Sequence, residues 1–197
     1  MTKKINLDIK QVLPRILPPI KESELKEKDI YYTQFGDFLL SFYIPIDDAV
    51  AHITNEWLKG QDIQEMIRNA KDNATKEMQI ITLADTLIEM GVEVDKDPAG
   101  MLILRSKDYI YGAGLIVSEK VRQKVKGLFG GKSYLIPSSI HEWIIIPKSV
   151  ITSEDLLTIN GQVNEDVVTS DEYLATGIYE INEEGELVNV YDMEGLL

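Results

Sequence analysis

The side chains with the greatest scope for chemistry lie together at residues 138–142, which read Ser-Ser-Ile-His-Glu. Ser139 and His141 are two positions apart, so on a β-strand they share a face and could act as nucleophile and general base. With the adjacent carboxylate, the candidate catalytic residues are Ser139, His141 and Glu142, and Ser138 lies beside them. No third orienting group can be assigned. The alternative is a structural turn whose serine hydroxyls bond backbone groups.

No metal motif is complete in the chain. His141 and Glu142 would begin a helical His-Glu-x-x-His zinc motif, but the second histidine position is occupied by Ile145. The only other histidine is His52, and there is no cysteine, which excludes thiolate ligands and disulfides. Within its apolar strand, His52 is expected to be partly buried and hydrogen-bonded. We therefore predict no metal site.

Two glycine-containing stretches match nucleotide-binding loops only in part. Gly-Ala-Gly at 112–114 lacks the third glycine of the dinucleotide fingerprint, because that position is Val117. Gly-Gly-Lys-Ser at 130–133 lacks the first glycine of the phosphate-binding loop, where Lys126 stands instead. Both stretches are expected to let the chain turn, and no cofactor is predicted.

The negative charge is concentrated near the C-terminus. The chain has a net charge of −13 from 20 basic and 33 acidic residues, and no basic residue follows Lys148, whereas 12 acidic residues do. Direct binding of nucleic acid by this segment is not expected, because phosphate contacts depend on Lys and Arg. The segment suits a basic protein partner, although an acidic surface also serves solubility alone. The candidate partner-binding residues are Glu165, Asp166, Asp171, Glu172, Glu183, Glu184 and Glu186.

Composition indicates a globular protein. Hydrophobic residues make up 44% and charged residues 27% of the 197 positions, which is ordinary for soluble domains. The first ten residues carry charges where a signal peptide needs an apolar run, and no segment approaches the length of a membrane span. We expect a cytoplasmic protein without a membrane partner.

Strands and helices alternate irregularly and are joined by hairpin-length connections. This favours a single α+β domain over 1–197, with a mainly antiparallel sheet and helices packed on it. Hairpins are predicted at 133–147, which is the most apolar part of the chain, and at 177–191. Residues 1–29 are predicted as a helix and loop region, and residues 149–197 as an acidic segment that ends in the second hairpin.

Further elements are predicted from periodicity. Strands are expected at 30–34, 38–46, 49–53, 101–104 and 109–117, and helices at 62–73 and 74–90, with Asp62 as an N-cap. The order strand, turn, strand and capped helix occurs over 38–70 and again over 101–128. This suggests an internal duplication, although cap chemistry alone makes unrelated helix starts look alike.

Two sequence motifs resemble a known family. They are Ile-Thr-Asn-Glu-Trp-Leu at 53–58 and Leu-Ile-Pro-Ser-Ser-Ile-His-Glu-Trp at 135–143. The pattern is similar to an uncharacterised Firmicutes domain of unknown function, found in gut Clostridia and their mobile elements. The resemblance implies an α+β fold and a bacterial or phage origin, and it implies no catalytic residues.

Two functional hypotheses follow. The first is a non-catalytic protein-interaction module that uses its acidic surface against a basic protein, because no catalytic constellation is complete. The alternative is a hydrolase with its site around the Ser-Ser-Ile-His-Glu stretch. The sequence does not indicate an oligomeric state.

Overall fold

Two antiparallel sheets and a set of short helices form an α+β fold, which confirms the predicted class. The computed structural model describes residues 8–47, 49–89, 91, 100–151, 156 and 171–191. The strands there are β1 (Leu13–Leu17), β2 (Tyr32–Phe35), β3 (Phe38–Ile46), β4 (Ala49–His52), β5 (Met78–Thr82), β6 (Leu102–Ser106), β7 (Ser133–Ser139), β8 (Glu142–Pro147), β9 (Ile178–Ile181) and β10 (Leu187–Tyr191). The α-helices are α1 (Glu22–Glu27), α2 (Asn55–Leu58), α3 (Ile63–Glu77), α4 (Leu83–Glu89) and α5 (Glu119–Gly127).

The first sheet is centred on β3. Strand β1 pairs along one edge of β3, whereas β2 and β4 follow one another along the other edge. Side chains alternate between the faces of a strand, so Ser41 and Tyr43 share one face and Phe42 lies on the other. In the register of the sheet, Arg15 lies opposite Ser41, and His52 lies opposite Tyr43. One face of this sheet therefore carries several polar side chains.

The second sheet has six strands in the order β10-β9-β7-β8-β6-β5. The β7–β8 hairpin turns at residues 140–141 and confirms the hairpin predicted over 133–147. The β9–β10 hairpin confirms the one predicted over 177–191. Both predictions rested on apolar runs divided by residues typical of turns.

One apolar core contains residues from both sheets. Phe38 of the first sheet meets Trp143 of the second edge to face, with ring centroids 6.0 Å apart. Tyr179 contacts both rings, at 5.3 Å from Phe38 and 5.4 Å from Trp143. The buried Trp143 Nε1 donates a hydrogen bond of 2.9 Å to the Ala113 carbonyl oxygen.

Residues Gly112–Val117 form a fully buried 3₁₀ segment that contacts β1, β6, β8, α3 and α5. A Cβ atom at Gly114 would lie 2.3 Å from the Pro14 carbonyl oxygen, and one at Gly112 would lie 2.4 Å from the His141 carbonyl oxygen. Glycine is needed at both places because backbone approaches backbone. The Gly-Ala-Gly sequence thus serves close packing.

The predicted strand over 109–117 is therefore wrong. Both edges of β6 are already occupied, by β5 and β8, so the chain after β6 finds no free edge of that strand to pair with. Without this second strand, the strand-strand-helix order of 38–70 is not repeated over 101–128. The structure thus gives no support to the proposed duplication.

The N-terminal region also differs from the prediction of helix and loop over 1–29. Among its described residues, β1 pairs with β3, between 3₁₀ turns at Ile9–Gln11 and Pro19–Lys21, and α1 follows. Apolar side chains on both faces of β1 are buried, which produced the misleading helical spacing. Pro14 is tolerated because β1 is an edge strand, where one set of backbone groups needs no ladder partner.

The single helix predicted over 74–90 is divided. Helix α3 ends at Glu77, β5 pairs with β6, and α4 begins at Leu83. Ile80, Ile81 and Thr82 are β-branched and favour a strand when a partner edge is available, so tertiary pairing overrides the local spacing. Asp62 caps α3 as predicted, since its side chain accepts from the amides of Gln64 and Glu65. No helix within the described residues has the length and apolarity needed to cross a bilayer.

Candidate functional site

The predicted catalytic stretch forms the turn between β7 and β8. The Ser139 Oγ accepts a hydrogen bond of 3.0 Å from the His141 backbone amide, which is the turn geometry that serine commonly supports. The register shifts between Pro137 and Ser139, as at a β-bulge. The hydroxyl of Ser139 thus bonds the backbone of His141. A nucleophile-base pair would need a hydrogen bond between this hydroxyl and the His141 imidazole, and no such bond is made among the described residues.

The His141 imidazole contacts Tyr111 and Glu172. Its Nδ1 accepts from the Tyr111 amide at 3.1 Å, and the two rings stack with centroids 5.6 Å apart. Its Nε2 lies 3.8 Å from the Glu172 carboxylate. Burial lowers the pKa of His141, although Glu172 and a hydrogen bond with the Tyr109 backbone oppose that change.

Glu142 lies in a separate environment on the second sheet. It stands opposite Arg105 in the register of β6 and β8. Burial raises the pKa of Glu142, and a hydrogen bond with the Ser138 side chain and the charge of Arg105 oppose this. Arg105 is itself buried and pairs with Glu89 at 2.9 Å. The structure therefore divides the predicted set, with Ser138 and Glu142 near Arg105 and His141 near Tyr111.

A polar cluster that the sequence motifs do not predict lies on the first sheet and contacts Tyr111. The Arg15 guanidinium carbon lies 4.2 Å from the centre of the Tyr111 ring. The His52 ring centroid lies 6.2 Å from that of Tyr111, and the Tyr43 ring lies edge to face with it at 5.1 Å. Tyr111 thus contacts both histidines of the chain.

The backbone that presents Tyr111 is strained. Both Tyr109 and Tyr111 adopt left-handed conformations, with φ of 60° and 49°. Such conformations cost free energy for residues with a large side chain, and they occur often at functional sites. Nothing in the sequence signals this strain, because aromatic residues are not expected there.

Three buried side-chain polar atoms lack a hydrogen-bond partner in the described residues: Arg15 Nε, Ser41 Oγ and His52 Nδ1. The hydrogen bond expected for His52 is therefore not made at Nδ1. Desolvation lowers the pKa of Arg15, and it lowers the pKa of His52 to about 4 with a further contribution from Arg15. A sequence signal did exist for these residues, since each is a polar residue inside an otherwise apolar strand.

Arg15 and His52 line a pocket of about 200 Å³, called the Arg15 pocket here. Its walls are the apolar side chains of Leu17, Leu25 and Ile30. Lys21, Lys28, Glu24 and Asp171 complete the lining. Lys21 pairs with Asp171 at 2.9 Å, and Lys28 pairs with Glu24 at 2.7 Å.

The predicted partner-binding residues separate into three groups. Glu165 and Asp166 lie outside the described residues. Asp171 and Glu172 lie next to Lys21 and His141, as given above. Glu183, Glu184 and Glu186 are exposed and belong to the β9–β10 turn or the residue before β10.

A groove of about 530 Å³ lies beside this turn and is called the acidic groove here. It is lined by Phe35, Gly36, Asp37, Phe38, Arg122, Tyr179, Glu186, Leu187, Val188 and Asn189. Its two acidic residues are Asp37, in the β2–β3 turn, and Glu186, which directly precedes β10. The β2–β3 turn and the β9–β10 hairpin thus form its two sides.

Two cations hold the β9–β10 turn by its backbone. Arg122 donates from Nε to the Gly185 carbonyl oxygen at 2.6 Å, and Lys126 donates to the carbonyl oxygens of Asn182 and Glu183 at 2.7 Å and 3.0 Å. Arg122 is buried and also donates to two carbonyl oxygens of the 112–117 segment. These cations fix the turn by its carbonyl groups.

Within the described part of the chain, no three acidic or histidine side chains are grouped as a metal site would require.

A family model matches residues 15–182. The chain belongs to a family of unknown function, DUF5688. No curated protein and no solved structure matches the chain. The family match agrees with the resemblance to an uncharacterised domain, and the site must be interpreted from its own geometry.

Proposed function

We propose that this protein is a non-catalytic interaction module that binds a basic segment of another protein in the acidic groove. The main observation behind the proposal is that the carboxylates at the β9–β10 turn have no ion-pair partner among the described residues. Glu183, Glu184 and Glu186 form no ion pair within the described residues, although Glu186 accepts a hydrogen bond of 3.3 Å from the Asn182 side chain and its charge acts on Arg122. Arg122 and Lys126 bond carbonyl oxygens of the turn, so the carboxylates of Glu183 and Glu184 in particular remain available to an external cation.

The charge balance of this region supports a cationic ligand. The groove and its turn together hold four carboxylates, those of Asp37, Glu183, Glu184 and Glu186, against two cations. Most other acidic side chains near the C-terminus in the described region have a basic neighbour, such as Lys148 for Glu180 at 2.6 Å. Acidic surface beside an apolar floor suits the aliphatic stem and charged head of Lys or Arg.

The groove also offers apolar contact area. Leu187, Val188 and the half-buried Phe35 line it, and the Arg122 guanidinium carbon already lies 5.8 Å from the centre of the Phe35 ring. The hydroxyl of Tyr179 donates to the Asp37 carboxylate at 3.2 Å, which orients that carboxylate at the edge of the groove. A basic nucleic-acid-binding protein of a bacterial host is the class of partner that fits best, given the origin that the motif resemblance implies.

Two matched double variants test the proposal. Glu183→Gln/Glu186→Gln removes two charges beside the groove, and Glu27→Gln/Glu65→Gln removes two exposed charges elsewhere. Each variant and the wild type serve as bait in nuclease-treated bacterial lysate at low and at high salt, and mass spectrometry identifies the proteins captured. We expect basic proteins to bind the wild type and the Glu27/Glu65 variant at low salt only. Equal capture by both double variants would contradict the assignment of the groove.

The hydrolase alternative remains a prediction that the same material can test. The serine and imidazole of the candidate pair bond other groups, so we expect hydrolysis of ester and phosphoester substrates to be at background. Activity that His141→Ala abolishes would restore the alternative.

A further inference from the structure

The three unpartnered polar atoms lie on one face of the first sheet. Arg15 is opposite Ser41 in the pairing of β1 with β3, and His52 is opposite Tyr43 in the pairing of β3 with β4. Ser41 and Tyr43 are two residues apart on β3 and share that face. The unsatisfied groups of Arg15, Ser41 and His52 therefore form one cluster, and Arg15 and His52 reach the same pocket.

The guanidinium of Arg15 makes no ion pair or hydrogen bond with the described residues, and it lies over the Tyr111 ring. Buried polar groups in native proteins are nearly always satisfied, so each exception needs an explanation such as an ion or ligand. A partly desolvated cation with no hydrogen-bonded carboxylate is a costly exception, and the charge of the nearby Glu24 offsets only part of that cost. The planar guanidinium fork matches a carboxylate or phosphate group.

We propose that the Arg15 pocket binds the carboxylate group of a small organic acid, with the guanidinium of Arg15 as the main anion contact and His52 beside it. This inference does not depend on the proposed function of the acidic groove. The pocket walls of Leu17, Leu25 and Ile30 would receive the apolar part of the acid.

Size and charge select this class of ligand. A volume of about 200 Å³ is below the range of about 300–1,000 Å³ that holds drug-sized ligands. The ionised lining groups are three cations, Arg15, Lys21 and Lys28, and two anions, Glu24 and Asp171, which leaves a net charge of +1. One negative charge neutralises this lining, so a monocarboxylate is favoured over a phosphate dianion.

The chain provides its own spectroscopic probe, because it contains two histidines. His52 lines the pocket, whereas His141 is not part of its lining and stacks against Tyr111. Imidazole NMR signals of the wild type are followed during titration with sodium butanoate at constant ionic strength. Butanamide, the neutral analogue, and inorganic phosphate are titrated in the same way. We expect saturable shifts of the His52 signals with butanoate, smaller shifts of the His141 signals, and none with butanamide.

Variants confirm which group binds the anion. Arg15→Met keeps an unbranched side chain and removes the charge, and we expect it to bind butanoate at least about tenfold more weakly. Arg68→Met is the matched control, since Arg68 is exposed on α3, and it should bind as the wild type does. The proposal fails if the wild type shows no saturable shift with butanoate, if phosphate binds as tightly, or if both variants bind equally. The wild-type titration decides the matter even if Arg15→Met does not fold.

Discussion

Replacing His52 by glutamine is expected to make the fold less sensitive to mild acid. The imidazole is partly buried, and desolvation together with the nearby Arg15 lowers its pKa from 6.5 to about 4. A lowered pKa means that the folded state favours the neutral imidazole. The unfolded chain binds a proton below about pH 6.5, so this stabilisation is present above that pH and is lost as the pH falls towards about 4.

The magnitude follows from the difference between the two pKa values. A fall from 6.5 to about 4 corresponds to about 3 kcal/mol, at about 1.4 kcal/mol for each pH unit. The imidazole retains some contact with solvent, and screening reduces the expected loss to about 1–2 kcal/mol. For a chain of this length, 1 kcal/mol shifts Tm by about 2–4 °C.

Urea unfolding of the wild type and of His52→Gln at about pH 7 and about pH 5 measures this effect. The carboxylates titrate in both proteins. The loss of unfolding free energy between the two pH values is therefore measured for each protein, and the difference between the two losses gives the contribution of His52. Between about pH 7 and about pH 5, we expect the free energy of unfolding of the wild type to fall by about 1 kcal/mol more than that of the variant. Equal losses would refute the reasoning, and so would an NMR titration in which His52 has a midpoint at or above 6.5.

Other substitutions test the packing of the core. Gly114→Ala should destabilise the fold by about 1–3 kcal/mol, because a Cβ there would lie 2.3 Å from a carbonyl oxygen of β1. Gly127→Ala is its control and should stabilise by about 0.5–1 kcal/mol, since that helical site is open; a loss at both sites would contradict the packing argument. Trp143→Phe should cost about 1–3 kcal/mol, as the Ala113 carbonyl oxygen loses its donor. Burial raises the pKa of Glu142, so Glu142→Gln should gain stability over the wild type at about pH 7 and less at about pH 4; a gain independent of pH would argue against it. Each variant is checked by urea unfolding.

Local patterns predicted the elements whose partners are close in sequence. Both hairpins, β3 and the Asp62 cap follow from short-range alternation and cap chemistry, which act within a few residues. Besides the strand wrongly predicted over 109–117, the errors concern β1 and β5, because these edge strands depend on partners that local spacing does not reveal. Where a distant strand offers an edge, pairing overrides helical periodicity.

The candidate sites were harder to predict for the same reason. The Arg15 pocket combines residues from β1, β4, α1 and the region around 171, which are far apart in the sequence. Residues Arg15, Ser41 and His52 could have been noticed as polar positions in apolar strands. The approach of Arg15 and His52 to Tyr111 depends on the strained backbone before the 112–117 segment, which residue types alone do not predict.

The enclosure of residues 112–117 constrains how the chain can fold during its synthesis. The segment touches β1, which is made early, and β8, which emerges only after residue 147 has been added. Chains grow at about 5–20 residues per second and fold as units when enough sequence has emerged. Until β8 has been synthesised, the N-terminal strands therefore remain attached to the ribosome with an apolar face that β8 does not yet help to cover. In that interval the nascent chain should be most dependent on chaperones, even though the finished protein buries this region completely.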